Sequence, residues 1–333
     1  MKVVLKTYSI LLLVTALLAG NSVFATGDPL VKKTKTHNKS YPVSAGDKVS
    51  FENRFGELKI NTWDKNEVKV DITITAEANS DEKAQKILDA ISIEDGKNGK
   101  GVYFKTKIDE KKDHKKENWE KGEKQGFDID YVVYMPSRNP LNASNEFGAM
   151  TIGDYSGEVE LESKFGSLTA GKLSNSKRVE VEFGKANIGS ISGGDISIKF
   201  SKATIGNIDG AIDAVFEYCD GVKLNVGNNI KNLSVKNSFT SLYLDVNTNL
   251  SASFDISTSF SELNNKSNFS IKEENEDKDD HGPKFDHRYN GKSGSGNVSV
   301  KVKSSFGDVT VGHNLPENVV NEPKKQKKKT TSI

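Results

Sequence analysis

"SKFGSLTAG", Ser163 to Gly171, is written four times in succession with small changes. "NEFGAMTIG" (Asn145 to Gly153) precedes it, and "VEFGKANIG" (Val181 to Gly189) and "IKFSKATIG" (Ile198 to Gly206) follow. Aligned on the aromatic, the series is Phe147, Phe165, Phe183, Phe200, Tyr218, Phe239 and Phe260, at steps of 18, 18, 17, 18, 21 and 21 residues. "SSFGDVTVG" carries a further copy, Phe306, after an interruption, and "NRFGELKI" an early one, Phe55. A unit this short cannot bury an apolar face alone, so a fixed period of this length implies stacked units with like positions above like.

The columns of the alignment give the conformation. Four residues before the aromatic stand Leu161, Val179, Ile196, Ala214, Val235 and Ile256. Three after it stand Met150, Leu168, Ala186, Ala203, Leu242, Leu263 and Val309, and five after it Ile152, Ala170, Ile188, Ile205, Leu244 and Val311. Alternation with a period of two is the signature of strands with one buried face. The residue after the aromatic is small (Gly148, Gly166, Gly184, Ser201, Cys219, Thr240, Ser261, Gly307), as at a corner where backbones stack closely. The residue before it reads Glu146, Lys164, Glu182, Lys199, Glu217, an outward column of alternating sign. These columns predict an all-β fold: a single-stranded parallel β-helix, that is a right-handed β-solenoid, with two short strands per unit. They also predict a buried ladder of the repeated aromatics along its axis.

Ahead of the repeats, residues 1–25 have the form of an export signal. Lys2 and Lys6 precede the apolar run Ile10 to Ala19, and Val23-Phe24-Ala25 offers a cleavage site. Residues 26–40 are Lys- and Thr-rich without periodicity and are expected to be a flexible leader. Residues 41–137 read as a β-rich cap with one helix, "DEKAQKILDAI", started by Ser80. The solenoid is assigned to residues 138–313, broken by a polar insertion at 272–296 that is expected to be dispensable, and residues 314–333 form a disordered basic tail. No segment after the signal is apolar enough to span a membrane as a helix. The expected location is therefore the periplasm, the cell surface or the medium.

Candidate chemistry is sparse. The formal net charge is +1, which does not point to nucleic acid. The single cysteine, Cys219, excludes an internal disulfide and sits in the small-residue column as a space-filler. No phosphate loop, zinc spacing or dinucleotide fingerprint is present, and no cofactor is expected. Asp277, Asp279, Asp280 and His281 lack the ordered spacing of a calcium loop. His37, His114, His281, His287 and His313 all fall outside the repeated strands, so a serine–histidine–acid site has no platform in them. The strongest catalytic pair is Asp195 and Asp213, each five before its aromatic and therefore on adjacent rungs. Two carboxylates on one face could serve a polysaccharide lyase or hydrolase. Glu160 and Arg178 fill the same column, however, as on an ordinary charged face. The leading reading is a non-catalytic envelope or surface scaffold without catalytic, cofactor-binding or metal residues; its partners would be envelope or surface glycans or proteins.

The signal, "NRFGELKINTWDKNEVKV", the single helix, "YVVYMPSRNPLNASNEFGAMTIGDYSGEVELESKFG" and the glycine-marked repeats together resemble the bacterial putative-adhesin family of β-strand-repeat envelope proteins, common in Bacteroidetes-like genomes. The resemblance runs from about Tyr41 to Gly312. It implies an exported β-helix and an adhesin role, and brings no catalytic residues with it. The charged insertion and the lysine tail depart from the family pattern.

Overall fold

The computed structural model describes residues 30–109, 125–274, 285–316 and 319–320. The export signal expected over residues 1–25, the cluster Asp277 to His281 and the tail lysines lie outside the described residues. The described chain is all-β with one helix. Its strands form a large mixed sheet that does not close.

Most of that sheet is a stack of parallel rungs. The first rung is β2 (Val49–Arg54) and β3 (Leu58–Thr62), which lie in register with β8 (Leu141–Glu146) and β9 (Ala149–Ile152). The copy around Phe55 is therefore part of the stack, although it comes before most of the cap. Then follow β10 (Tyr155–Lys164), β11 (Ser167–Glu182), β12 (Lys185–Lys199), β13 (Lys202–Glu217) and β14 (Val222–Ser238). Each of the longer strands runs from one Phe–Gly corner to the next and bends midway, where the pairing slips, as between Leu173 and Arg178. One-repeat register is kept elsewhere: Leu168, Ala186 and Ala203 are successive partners, as are Val179, Ile196, Ala214 and Val235. These side chains are buried and form one continuous core.

The column two before the aromatic adds a polar component to that core. Asn53, Asn145 and Ser163 are buried at one end and Asn237, Ser304 and Thr258 at the other, with Val181, Ile198 and Phe216 between. Buried amides need partners, and these tie the corners together. Asn53 donates to Asn145 Oδ1 at 3.0 Å, Asn145 to the Gly56 carbonyl at 3.1 Å, and Asn237 to the Thr240 carbonyl at 2.6 Å.

Spatial order departs from chain order at the far end. β14 and β15 (Leu242–Val246) are followed along the chain by β16 (Ala252–Ser259) and β17 (Leu263–Lys266), but they do not pair with them. β20 (Val298–Ser305) and β21 (Val309–Gly312) sit between, paired in parallel with β14 and β15 on one side and with β16 and β17 on the other. A rung that comes later along the chain is thus inserted between two earlier ones.

The stretch expected to be a polar insertion without a strand pattern contains paired strands. β18 (Ser270–Glu273) and β19 (Asp286–Lys292) form an antiparallel pair, and β19 also pairs with β16 through seven residues, from Ser253–Lys292 to Ser259–Asp286. It covers the outer edge of the stack, and an open edge is what a sheet must avoid. Its polar composition hid this role, because a terminal strand has one face against the body and the other in water.

At the opposite end the sheet continues as the cap. β4 (Glu67–Ala78) lies antiparallel to β7 (Gln125–Met135), which pairs with β3; β5 (Ile91–Asn98) and β6 (Gly101–Ile108) form a hairpin beside β2. The helix α1 (Asp81–Ala90) packs on β4, with Ser80 accepting the Lys83 N–H and Ala84 and Leu88 buried. Residues expected as a flexible leader form β1 (Val31–Pro42), an edge strand paired with β4 over its full length. Only Val31, Lys33, His37 and Tyr41 are half-buried on its inner face, so the strand lacks the apolar alternation by which it could be read, and its lysines suit an edge.

The small column behaves as the corner requires. A Cβ on Gly166 would lie 1.9 Å from the Gly148 carbonyl oxygen, and one on Gly184 1.8 Å from that of Gly166. Gly166→Val should therefore destabilise the protein by about 2–3 kcal/mol through overpacking against backbone. Gly166→Ser should cost less, because Ser201 occupies the same column and its hydroxyl accepts the Gly184 N–H at 3.0 Å and donates to the Lys199 carbonyl at 2.7 Å. Urea unfolding of the two variants checks the order; equal midpoints for Val and wild type would refute it.

Candidate functional site: an exposed ladder of stacked rings

The repeated aromatics form a ladder, but on the outside. Phe147, Phe165, Phe183, Phe200, Tyr218, Phe239, Phe260 and Phe306 are each 42–54% exposed. The expectation of a buried ladder is corrected, and the cause is the backbone. Every one of these residues, with Phe55, has φ between +49° and +61°. One residue in the left-handed region breaks the alternation, so the ring that period two would send inward swings out. That conformation is uncommon for a bulky side chain. It is held here by the ladder of backbone bonds: the N–H of Phe147 donates to Lys164 O at 2.9 Å, that of Phe165 to Glu182 O at 3.0 Å, and that of Phe200 to Glu217 O at 2.9 Å.

In space the rings run Phe55, Phe147, Phe165, Phe183, Phe200, Tyr218, Phe239, Phe306, Phe260. Neighbouring centroids are 4.6–5.1 Å apart and the planes within 7° of parallel. Phe285, at the turn into β19, adds a tenth ring 4.8 Å beyond Phe260, and Phe127 closes the capped end edge-on to Phe55. Ring faces are covered by neighbouring rings, so water meets a row of C–H edges, the positive part of the ring quadrupole. The row follows strand spacing and is roughly 40–45 Å long.

One side of the ladder is the alternating charge column. The register places Arg54 beside Glu146, then Lys164, Glu182, Lys199 and Glu217 on successive rungs. Arg54 and Glu146 meet at 2.9 Å and Lys199 and Glu217 at 3.1 Å. Lys164 bonds instead to Glu162 on its own strand at 2.5 Å; that bond, with the fields of Glu180 and Glu182, holds its ammonium pKa above the usual lysine value. The column continues through Ser238, Ser305 and Ser259 to Asp286.

Asp195 and Asp213 are register partners on adjacent rungs, as expected, with Arg178 one rung before Asp195. Both are exposed on the strand surface. Two surface cavities lie at the far end of the stack, one lined by Leu250, Phe269 and Ser293, the other by Ser259, His287 and Lys303; neither includes Asp195 or Asp213. Cys219 is buried in the small column, with its thiol 3.4 Å from the Ile198 carbonyl and its pKa raised by burial, a space-filler's setting.

A polar cluster that sequence reading missed lies on the cap. His37 Nε2 is 2.7 Å from Asp95 Oδ1, and the Tyr41 hydroxyl donates to the other oxygen of Asp95. That bond and burial push the Tyr41 phenol up to about 12, away from any use as a nucleophile. The cluster fastens β1 to β5. The only trace of it in the sequence is the even spacing of His37 and Tyr41 along one strand face.

No family model and no curated protein matches this sequence. Among solved structures the chain is similar to a putative cell adhesion protein from Clostridium sporogenes, at 11% identity and a TM-score of 0.24, over 84% of this chain and 100% of that one. It is also similar to a putative adhesin from Bacteroides fragilis, at 11% identity and a TM-score of 0.35, over 83% of this chain and 97% of that one. Both names match the putative-adhesin family that the repeats resemble.

Proposed function

We propose that this chain is a non-catalytic, exported scaffold of the cell envelope or surface, a right-handed β-solenoid that binds through its aromatic ladder. The solenoid reading is supported by parallel pairing at a constant one-repeat offset, and its hand by the near-universal right-handedness of parallel crossovers. Export rests on the form of residues 1–25. Among the described residues no helix is long and apolar enough to cross a membrane.

The observation that carries the binding role is the ladder itself. A continuous apolar stripe rimmed by charge is the form of an interaction surface. Folding alone does not require these rings outside: the core is complete beneath them, and each holds an uncommon backbone conformation. Because the ring faces are already stacked, the stripe offers no platform for sugar rings. It fits a protein surface better than a glycan.

The test compares wild type with the triple variant Phe165→Asn, Phe183→Asn, Phe200→Asn. Asparagine tolerates the left-handed region, so the corners are kept. Binding of labelled protein to isolated bacterial envelopes should fall at least about tenfold, as when interface anchors are removed. Equal binding by both proteins would refute the ladder as the binding surface. The enzyme alternative is tested on acidic and neutral glycans with Asp195→Asn, Asp213→Asn. Turnover by wild type that this variant lacks would refute the non-catalytic reading.

A further inference from the structure

Resting on that reading, we propose that the partner of the ladder is a second copy of this chain, packed ladder to ladder with the two stacks antiparallel about a two-fold axis.

Three observations carry this. The first is area. Eight of the repeat rings and Phe285 are each about half exposed, which at ~200 Å² per ring leaves on the order of 900 Å² of apolar surface. Monomers ordinarily show a largest patch of about 300–600 Å², and a stable interface takes about 800 Å² from each partner. The second is pitch. A row of edges repeating every 4.6–5.1 Å for ten rings stays in step only with a surface of the same repeat, which an identical ladder supplies.

The third is charge. A two-fold axis lying in the interface and perpendicular to the ladder sets the rim column against itself in reverse order. With full overlap of the ten levels, Arg54 faces Asp286 of the second copy and Lys199 faces its Glu217. Glu146, Lys164 and Glu182 face serines (Ser259, Ser305 and Ser238), and no like charges meet. A slip of one rung in one direction sets Glu217 against Glu217 and Glu146 against Asp286. A slip in the other sets Lys199 against Lys199 and Glu182 against Glu217. The column therefore selects one register and disfavours its neighbours. An isologous contact of this kind closes on itself, giving a dimer and not a filament.

The experiment is sedimentation equilibrium of the purified protein, with circular dichroism as a control for folding. Wild type should sediment at twice the chain mass. The Phe165→Asn, Phe183→Asn, Phe200→Asn variant should sediment as a monomer with an unchanged β-sheet spectrum. Glu217→Lys should weaken association about tenfold, because it sets a second ammonium against Lys199 twice across the axis, and adding Lys199→Glu should recover most of the loss. A wild-type monomer at about 100 μM would overturn the proposal, since interfaces of this size hold at far lower concentrations. So would a dimer that the triple variant leaves intact, or a charge reversal without effect. If wild type is monomeric yet binds envelopes through the ladder, self-pairing fails and the binding surface stands. If the triple variant changes neither association nor envelope binding, both fail. Ladder-dependent binding to phosphatidylglycerol vesicles by a monomer would assign the stripe to lipid, against the second copy.

Discussion

Removing residues 297–333 should unfold the distal end of the stack while leaving the capped end folded. The deletion takes out β20 and β21, so β14 and β16 lose the strand that separates and joins them. Val300, Val302, Val309 and Val311 are all buried there, and their loss is worth on the order of 6–12 kcal/mol at 1.5–3 kcal/mol each. Phe306 leaves the ladder with them, and Phe239 and Phe260 are left with a gap between them. Among the described residues no other strand pairs β16 to β19 with the body, so the whole segment from about residue 247 should become open to protease. Limited proteolysis with mass spectrometry reads this directly, with a thermal melt lowered by more than about 10 °C beside it. A truncated protein that resists cleavage between residues 247 and 296 would show that the late rung is not a structural keystone.

Phe216→Ala should cost about 3–5 kcal/mol, whereas Phe183→Ala should cost about 1–2 kcal/mol. Phe216 is fully buried, between Ile198 and Asn237 in register. Phe183 is 45% exposed and loses mainly two ring stacks. Urea unfolding of the two variants at equal protein concentration separates them. A larger loss for Phe183 than for Phe216 would return the ladder to the core.

That pair of residues shows what the repeat could and could not reveal. The strands, the Phe–Gly corner and the sign order of the charge column follow from spacing alone, because spacing is what parallel register preserves; the stacking of Phe55 on Phe147 does not, because most of the cap lies between them along the chain. Hydropathy has no access to the sign of φ, so the alternation rule carried the ring inward when the backbone carries it out. Column alignment likewise records order along the chain and not order in space, which is why Phe306 between Phe239 and Phe260 was illegible. β1 escaped because a lysine-rich edge strand looks like a leader. Asp195 and Asp213 do meet on adjacent rungs, since their partnership is a matter of register. What surrounds them, an exposed sheet surface, depends on how the neighbouring turns lie, which register does not record.

The backbone repeats every rung, but the rim column repeats every two. Losing one unit of about eighteen residues, such as Phe165 to Glu182, keeps every ring stacked and every corner formed. It nevertheless breaks the phase of the rim: Lys164 then lies next to Lys199, like against like. Losing two units restores both periods. The stack therefore has a parity, and lengthening or shortening it without conflict proceeds in pairs of rungs, roughly thirty-six residues at a time. In a lineage of such proteins, even differences in rung number between Arg54 and Glu217 should be tolerated silently, while odd ones should come with compensating charge changes along a single column.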